Sequence, residues 1–301
     1  PAAASPRYDE RALAFAPQER LYRDGVWREG IEPLAGASAT ARTEWRRFHD
    51  RMEALKRARG TDGRRAFAIP MALSSRDLHW LALDRVSMRD WLIAEGYTAE
   101  PVHWLANYAC RDDFGCDYRD VSAWAGVHYF ASRNARARDA DPDTVLTWPE
   151  GNGWIVRQML ARVAPPLTTN ALVYRVTEAP RGATLRVYRA DVQRTVEIEA
   201  EHVIWAAQLR FASRVLDGGD DTLKAALREF DYAPWLVANL TLAEAPIDRY
   251  AAPLAWENIL YDSPGLGYVV ATHQHLASRR GATVLTYYEA LHGESPAMGR
   301  D

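Results

Sequence analysis

Between Ala171 and Ala207 the hydrophobic period of the chain changes within a few residues, and this change restricts the fold more than any other feature. Ala171 to Ala179, Thr184 to Ala190 and Thr195 to Ala200 are rich in β-formers and alternate. They are separated by Pro180-Arg181-Gly182 and by Asp191 to Arg194. Alternation with turn residues at this spacing predicts a three-stranded antiparallel meander. His202 to Ala207, reading HVIWAA, follows at once and is apolar without alternation. That texture is expected of a strand buried on both faces of a parallel sheet. The meander would then cross over between two parallel strands. Ligands sit at the carboxyl ends of such strands, so Ala206 and Ala207 are candidates for a close ligand approach, with tight packing as the competing reading.

The rest of the chain divides around this unit. Leu21 to Glu32 has a turn at Asp24-Gly25 between two short alternating runs, a hairpin signal. Thr43 to Arg59 lacks Pro and Gly and reads as an exposed helix, ended by the loop 60–63. Ser74 to Ser132 has helical spacing throughout. Ser74 or Ser75 would cap a helix through Leu83, and Ser87 one through Ala94 with Gly96 behind it. Helices over Glu100 to Cys110 and Tyr118 to Ala131 follow. Thr147 to Trp154, TWPEGNGW, is a Gly-rich turn, and Ile155 to Val163 continues as a short helix. Trp235 to Leu242, Leu266 to Thr272 and Thr283 to Tyr288 are strand candidates for a second antiparallel sheet. No internal repeat is present.

The length of 301 residues accommodates one large domain or two of ordinary size. With 37 basic and 40 acidic residues the net charge is −3, which points to neither nucleic acid nor an anionic membrane as partner. No apolar run reaches the roughly 18–20 residues of a transmembrane segment, and the first twenty residues are too polar for a signal peptide. The chain opens on Pro1 and stops at Arg300-Asp301 just after a strand-like run, so it reads as cut at both ends. Lys56 and Lys224 are its only lysines. Cys110 and Cys116 cannot make a structural zinc site and read as two free thiols, with a disulfide as the alternative.

Five residues are candidates for a substrate pocket. Trp124 and His128, four apart, share a helix face, although core packing is the simpler reading. His273-Gln274-His275 places an H-x-H at a strand end. Without a further ligand of recognisable spacing it is not a metal site, and His273 or Gln274 could instead face a ligand. Tyr287-Tyr288 offers one inward ring, since adjacent strand residues face opposite ways; Tyr287 is the candidate. Asp112-Asp113 and the run 139–143 read as solvated loops. There is no G-x-S-x-G elbow, P-loop or H-E-x-x-H, which argues against the common hydrolase and nucleotidase classes.

WPEGNGWIVRQML, LTTNALVYRV and EAEHVIWAAQLRFASRVL, in this order, resemble the mid-chain segment of flavin-containing amine oxidases and related FAD-dependent desaturases. The flanking helical block, WLVANLTL and GYVVATHQ resemble the family's substrate domain. The resemblance implies an α/β chain of mixed α+β character. A partial Rossmann-like FAD-binding lobe with a β-meander (146–231) would join a substrate lobe of helices and antiparallel sheet (1–145 and 232–301). It implies FAD as cofactor, with the main chain of Val173 against the adenine and Ala206, together with Ala207, near the flavin, and a small organic molecule as substrate. The G-x-G-x-x-G that holds pyrophosphate is absent, and so is a substrate-domain lysine after Lys224. A carotenoid-type desaturase or isomerase and a flavin-free binding module on the same fold are the alternatives.

Overall fold

The computed structural model describes all residues except 1–5, 14–18, 134–136, 141–143, 145, 219–220, 247–251, 275–280 and 294–301. The chain divides into two compact units, Pro1–Val156 with Ala233–Asp301, and Arg157–Tyr232.

The first unit packs helices against a mixed sheet. Strands β1 (Glu19–Arg23) and β2 (Val26–Glu29) form the anticipated hairpin. Its turn residues Asp24 and Gly25 both have positive φ, 54° and 78°, as a two-residue hairpin turn requires. Helix α1 (Ala39–Arg57) starts four residues earlier than its composition suggests, because the Ser38 hydroxyl accepts the Ala41 amide at 3.1 Å and supplies the cap. Its buried residues Trp45, Phe48, Met52 and Leu55 recur every three or four positions.

The helix expected from Ser74 or Ser75 is only the short α2 (Leu78–Leu81), continued by a 3₁₀ turn through Arg85 and capped by Asp77. Both serines are committed elsewhere. Ser74 Oγ accepts the Ala68 amide and the Ser75 hydroxyl donates to Asp62, each at 2.9 Å. Helix α3 (Met88–Ala94) has the Ser87 cap and Gly96 end that the sequence indicates. Helix α4 (Glu100–Phe114) outruns its expected end at Cys110, since Gly115, at φ 64°, is the residue that can terminate it in the left-handed conformation. Helix α5 (Ala123–Ser132) begins after Ser122, whose hydroxyl accepts the Ala125 amide. Phe48, Phe67, Met88, Leu92, Val102 and Val127 make the centre of the core these helices share. Cys110 and Cys116 are free thiols.

Helix α6 (Gly153–Val163) leads into the second unit. There β3 (Ala171–Ala179), β4 (Gly182–Arg189) and β5 (Arg194–Ala200) form the anticipated meander, with Val173 opposite Val187 and Val187 opposite Val196. A bulge between Val173 and Arg175 interrupts the β3–β4 ladder. Gly182, at φ 101°, closes the first turn where a Cβ would collide with the Ala200 carbonyl. After helix α7 (Leu209–Val215), the short β6 (Leu216–Asp217) pairs parallel with β3 at Val176 and Thr177. Helix α8 (Asp221–Arg228) follows.

The sequence therefore anticipated the parallel return correctly in kind but not in place. Residues 202–207 are not a strand, and Ile204 is 91% exposed. A continuous apolar run forms a buried strand only when sheet neighbours supply ladder partners. Among the described residues, 202–207 has none.

Back in the first unit, β7 (Trp235–Leu242), β8 (Glu257–Leu260), β9 (Gly267–Val270) and β10 (Thr283–Ala290) join the hairpin. The described six-stranded sheet has the order β2-β1-β8-β9-β10-β7. Only β1 and β8 pair in parallel. Arg20 is buried at this junction, where its guanidinium donates to Asn258 Oδ1 at 2.6 Å and to the Ala252 carbonyl at 2.9 Å. The expected strand to Thr272 ends at Val270, and a 3₁₀ turn occupies Ala271–Gln274. The chain is thus mixed α/β, with no described helix long and apolar enough to cross a membrane.

Candidate functional site

Two carboxylates and three tyrosines gather in the first unit where α4 and α5 meet the sheet: Tyr108 and Asp112 of α4, Tyr129 of α5, Glu257 of β8 and Tyr288 of β10. The extension of α4 to Phe114 places Asp112 one turn beyond Tyr108, on the same face. Asp112 is consequently a helical, largely buried residue and not a solvated loop residue. Its neighbour Asp113 is exposed and takes the guanidinium of Arg133 at 2.9 Å.

The electrostatics follow from this burial. Loss of water pushes the Asp112 carboxyl up to about 6, Asp113 adds to the effect, and Arg133 and the facing Tyr129 hydroxyl oppose it. Burial pushes Glu257 further, to about 7. The charges of Asp112 and of Glu19 on β1 act in the same direction, and the facing Tyr288 hydroxyl acts against it. Tyr108, Tyr129 and Tyr288 are all held in the neutral phenol form, first by burial and then by the carboxylates beside them. Among the described residues, neither Asp112 nor Glu257 forms an ion pair. Tyr108 is 2% exposed, and Tyr288 packs against it. The arrangement is a part-buried group of two carboxyls among three phenols.

The residues singled out from sequence lie in several places. Trp124 and His128 do meet on α5, their rings stacked 5.0 Å apart. Both belong to the helical packing, since His128 Nε2 contacts the Ala68 carbonyl at 2.8 Å and Trp124 lies 5.6 Å from Phe67. The Tyr287 hydroxyl donates to Glu289 at 2.7 Å and fills the space over Gly265, where a Cβ would collide with it. Tyr288, on the opposite face of β10, is the ring that joins the carboxylates. His273 and Gln274 lie in the 3₁₀ turn after β9, with side chains outside the described set, and His275 falls outside the described residues. No group of three or more potential metal ligands occurs among the described residues.

In the second unit, Val173 is half-buried on β3 beside the bulge. Because β6 pairs only with Val176 and Thr177, the amino-terminal half of β3 keeps one edge open among the described residues. Ala206 and Ala207 are exposed and outside the sheet.

A separate cleft of about 340 Å³ lies in the first unit where α1 and α4 begin, lined in part by Arg23, Ser38, Glu44 and Glu100. Its acids are already used: Glu44 accepts the amides of Thr98 and Ala99 at 2.7 and 2.8 Å, and Glu100 accepts the Tyr261 hydroxyl.

Sequence reasoning missed the carboxylate–tyrosine centre because its members come from four distant segments. The only local signal was the four-residue spacing of Tyr108 and Asp112.

No protein-family profile and no curated protein matches the chain. Solved structures do. A redesigned putrescine oxidase is similar over 94% of this chain and 60% of its own, with a TM-score of 0.67 at 17% identity. The wild-type putrescine oxidase bound to putrescine has the same coverage and identity, with a TM-score of 0.63. Cyclohexylamine oxidase from Brevibacterium oxydans IH-35A gives 0.58 at 13% identity, over 92% of this chain and 58% of that one. At these identities the likeness concerns the fold. Over nearly its whole length the chain has the fold of FAD-dependent amine oxidases, and it spans about 60% of theirs.

Proposed function

We propose that this chain belongs to an FAD-dependent oxidoreductase of amine oxidase type, which removes a hydride from a C–N or C–C bond of a small organic substrate. The observation that carries this reading is the fold shared with amine oxidases over nearly the whole chain, in which two part-buried carboxyls, Asp112 and Glu257, lie on the substrate side. An amine is a cation at neutral pH, and a desolvated carboxylate pair without its own basic partner attracts one.

In this reading residues 1–145 and 232–301 form the substrate side, and 146–231 the flavin side. The open edge of β3 at Val173 offers main-chain groups to the adenine, which is the part of a flavin site that the described residues fit. Ala206 and Ala207 are proposed for the flavin end of the same lobe. Bound flavin supplies the two-electron acceptor. The protein's own part is to hold the ammonium end, to keep water from it by burial, and to aim the carbon carrying the hydride. Trp124, His128, His273, Gln274 and Tyr287 remain proposed pocket residues of the substrate side. None of this requires a lysine, so the absence of one after Lys224 is compatible with activity.

A carotenoid-type desaturase would require a long apolar tunnel, and buried carboxylates disfavour it. A flavin-free binding module is separated by a spectrum. The full-length protein should show flavin absorption that an alkylamine bleaches in the absence of oxygen. A colourless full-length protein that takes up no FAD would overturn the proposal.

A further inference from the structure

Helix α4 and the end of β8 stack three oxidisable rings in series. Trp104 and Tyr108 stand one turn apart on α4, their ring centroids separated by 5.6 Å and their planes 23° from parallel. Tyr261, the residue after β8, stacks on Trp104 at 4.7 Å and 24°. The Trp104 indole N–H donates to the Tyr261 carbonyl at 3.3 Å, which fixes this pair. The two ends of the series differ. Tyr108 is buried in the interior, in the same apolar cluster as Leu21, Ile259 and Leu266. The Tyr261 hydroxyl donates to the carboxylate of Glu100, an exposed residue in the first turn of α4. The Arg23 guanidinium lies over the Tyr261 ring, 4.1 Å from its centroid. Glu100 and Arg23 both line the cleft of about 340 Å³ where α1 and α4 begin. The series therefore runs from the interior to a phenol whose polar partners stand at the surface.

Indole and phenol rings give up a single electron far more readily than a benzene ring, and stacked rings pass electrons between them. A phenol that loses an electron becomes a strong acid, so its oxidation is favourable where a base takes the proton at once. Tyr261 has that base in Glu100. The Trp104 N–H meets only a backbone carbonyl, which takes no proton. The guanidinium over Tyr261 disfavours a positively charged ring and so ties loss of the electron to loss of the proton. We propose that Tyr261 is a redox-active tyrosine, the outlet of a Tyr108–Trp104–Tyr261 relay that carries a one-electron oxidation between the interior and the cleft. The oxidant is a one-electron acceptor of the metal-complex or oxygen-radical class. It gains one electron, Tyr261 loses one, and the phenol proton passes to the Glu100 carboxylate, leaving a neutral phenoxyl radical and a carboxylic acid. Where the electron is taken from Tyr108, Trp104 refills Tyr108 and Tyr261 refills Trp104, so the products are the same. The relay keeps oxidising equivalents from lodging in the core. It needs no flavin and stands whether or not the amine reading holds.

The test uses the full-length protein with 3-aminotyrosine, an electron-rich trap of nearly the same shape, in place of Tyr108. The oxidant is a photogenerated ruthenium(III) tris-bipyridine complex, too bulky to enter the core. The trap should be oxidised from outside, giving an aminotyrosyl radical that electron paramagnetic resonance distinguishes from the radicals of ordinary tyrosines. Trp104→Phe and Tyr261→Phe each keep a packed ring that this complex does not oxidise, and each should abolish the aminotyrosyl signal. Glu100→Gln keeps a hydrogen-bond acceptor but takes no proton, and should slow formation of the signal. Absence of the aminotyrosyl radical in the otherwise unaltered protein overturns the relay. So does a signal undiminished by Trp104→Phe and Tyr261→Phe, because the electron then travels by another route. An unchanged rate in Glu100→Gln overturns Tyr261 with Glu100 as the outlet.

Discussion

The two units are built on opposite balances of burial. In the first, Phe48, Phe67, Met88, Leu92, Val102 and Val127 are fully enclosed, and four helices, α1, α3, α4 and α5, contribute to them. In the second, Val176, Val187, Ala212 and Leu227 are the buried apolar residues. Helix α6 has no buried side chain, and Met159 and Val163 are 62% and 72% exposed. Regular secondary structure is equally clear in both, so hydrogen bonding does not distinguish them. What differs is how much apolar surface each removes from water, which is the larger favourable term in folding. Tyr108 and Tyr288, beside the two carboxyls, belong to a second, smaller apolar cluster with Leu21, Ile259, Tyr261 and Leu266. Among the described residues, the second unit keeps a backbone edge and apolar side chains open.

Core truncation gives the sharpest contrast. Phe48→Ala should cost about 3–5 kcal/mol in chemical denaturation, and a near-neutral result would break the idea that stability resides in the first unit. Next is the carboxyl pair. Because burial raises Glu257 to about 7 and Asp112 to about 6, the folded state binds protons that the unfolded chain has already lost. The contribution of these two carboxyls to stability therefore falls as pH rises from about 4 through about 7 and levels off above that. Glu257→Gln should raise stability at pH 8 by about 2–3 kcal/mol, and the gain should vanish near pH 4. An equal gain at both ends would show that the Glu257 charge is not what is strained. Ser38→Ala, which removes the α1 cap, should cost about 1 kcal/mol. Smallest is Val163→Ser on the open face of α6, expected within about 0.5 kcal/mol by the same denaturation measurement. A loss as large as that of Phe48→Ala would mean this face is covered in the folded protein. Hydrogen exchange tests the contrast as a whole: amides of 171–200 should exchange well before those of α1 and α4.

Much of the architecture could be read in advance where one segment holds its own signal. Ser87 and Gly96 bracket α3, Asp24-Gly25 makes the hairpin turn, and the alternation from Ala171 to Ala200 makes the meander. The errors arise where a residue's state depends on partners far along the chain. HVIWAA has the composition of a central strand, but a strand is a property of a pair. Asp112 was placed in a loop because two acids beside a cysteine look polar, whereas Gly115 sets the helix end and the sheet buries one of the two. Tyr287 and Tyr288 were rightly read as facing opposite ways, but nothing local indicated which face met the carboxylates.

By itself, then, the amino-acid sequence determined the periodicities, caps and turns, hence the order of helices and strands, because these depend on side chains within a turn or two of one another. Tertiary structure alone decided that Asp112, Glu257 and three tyrosines act on one another. The proton affinity of a carboxyl depends on the water and charge around it, and here those are set by α4, α5, β1, β8 and β10 coming together.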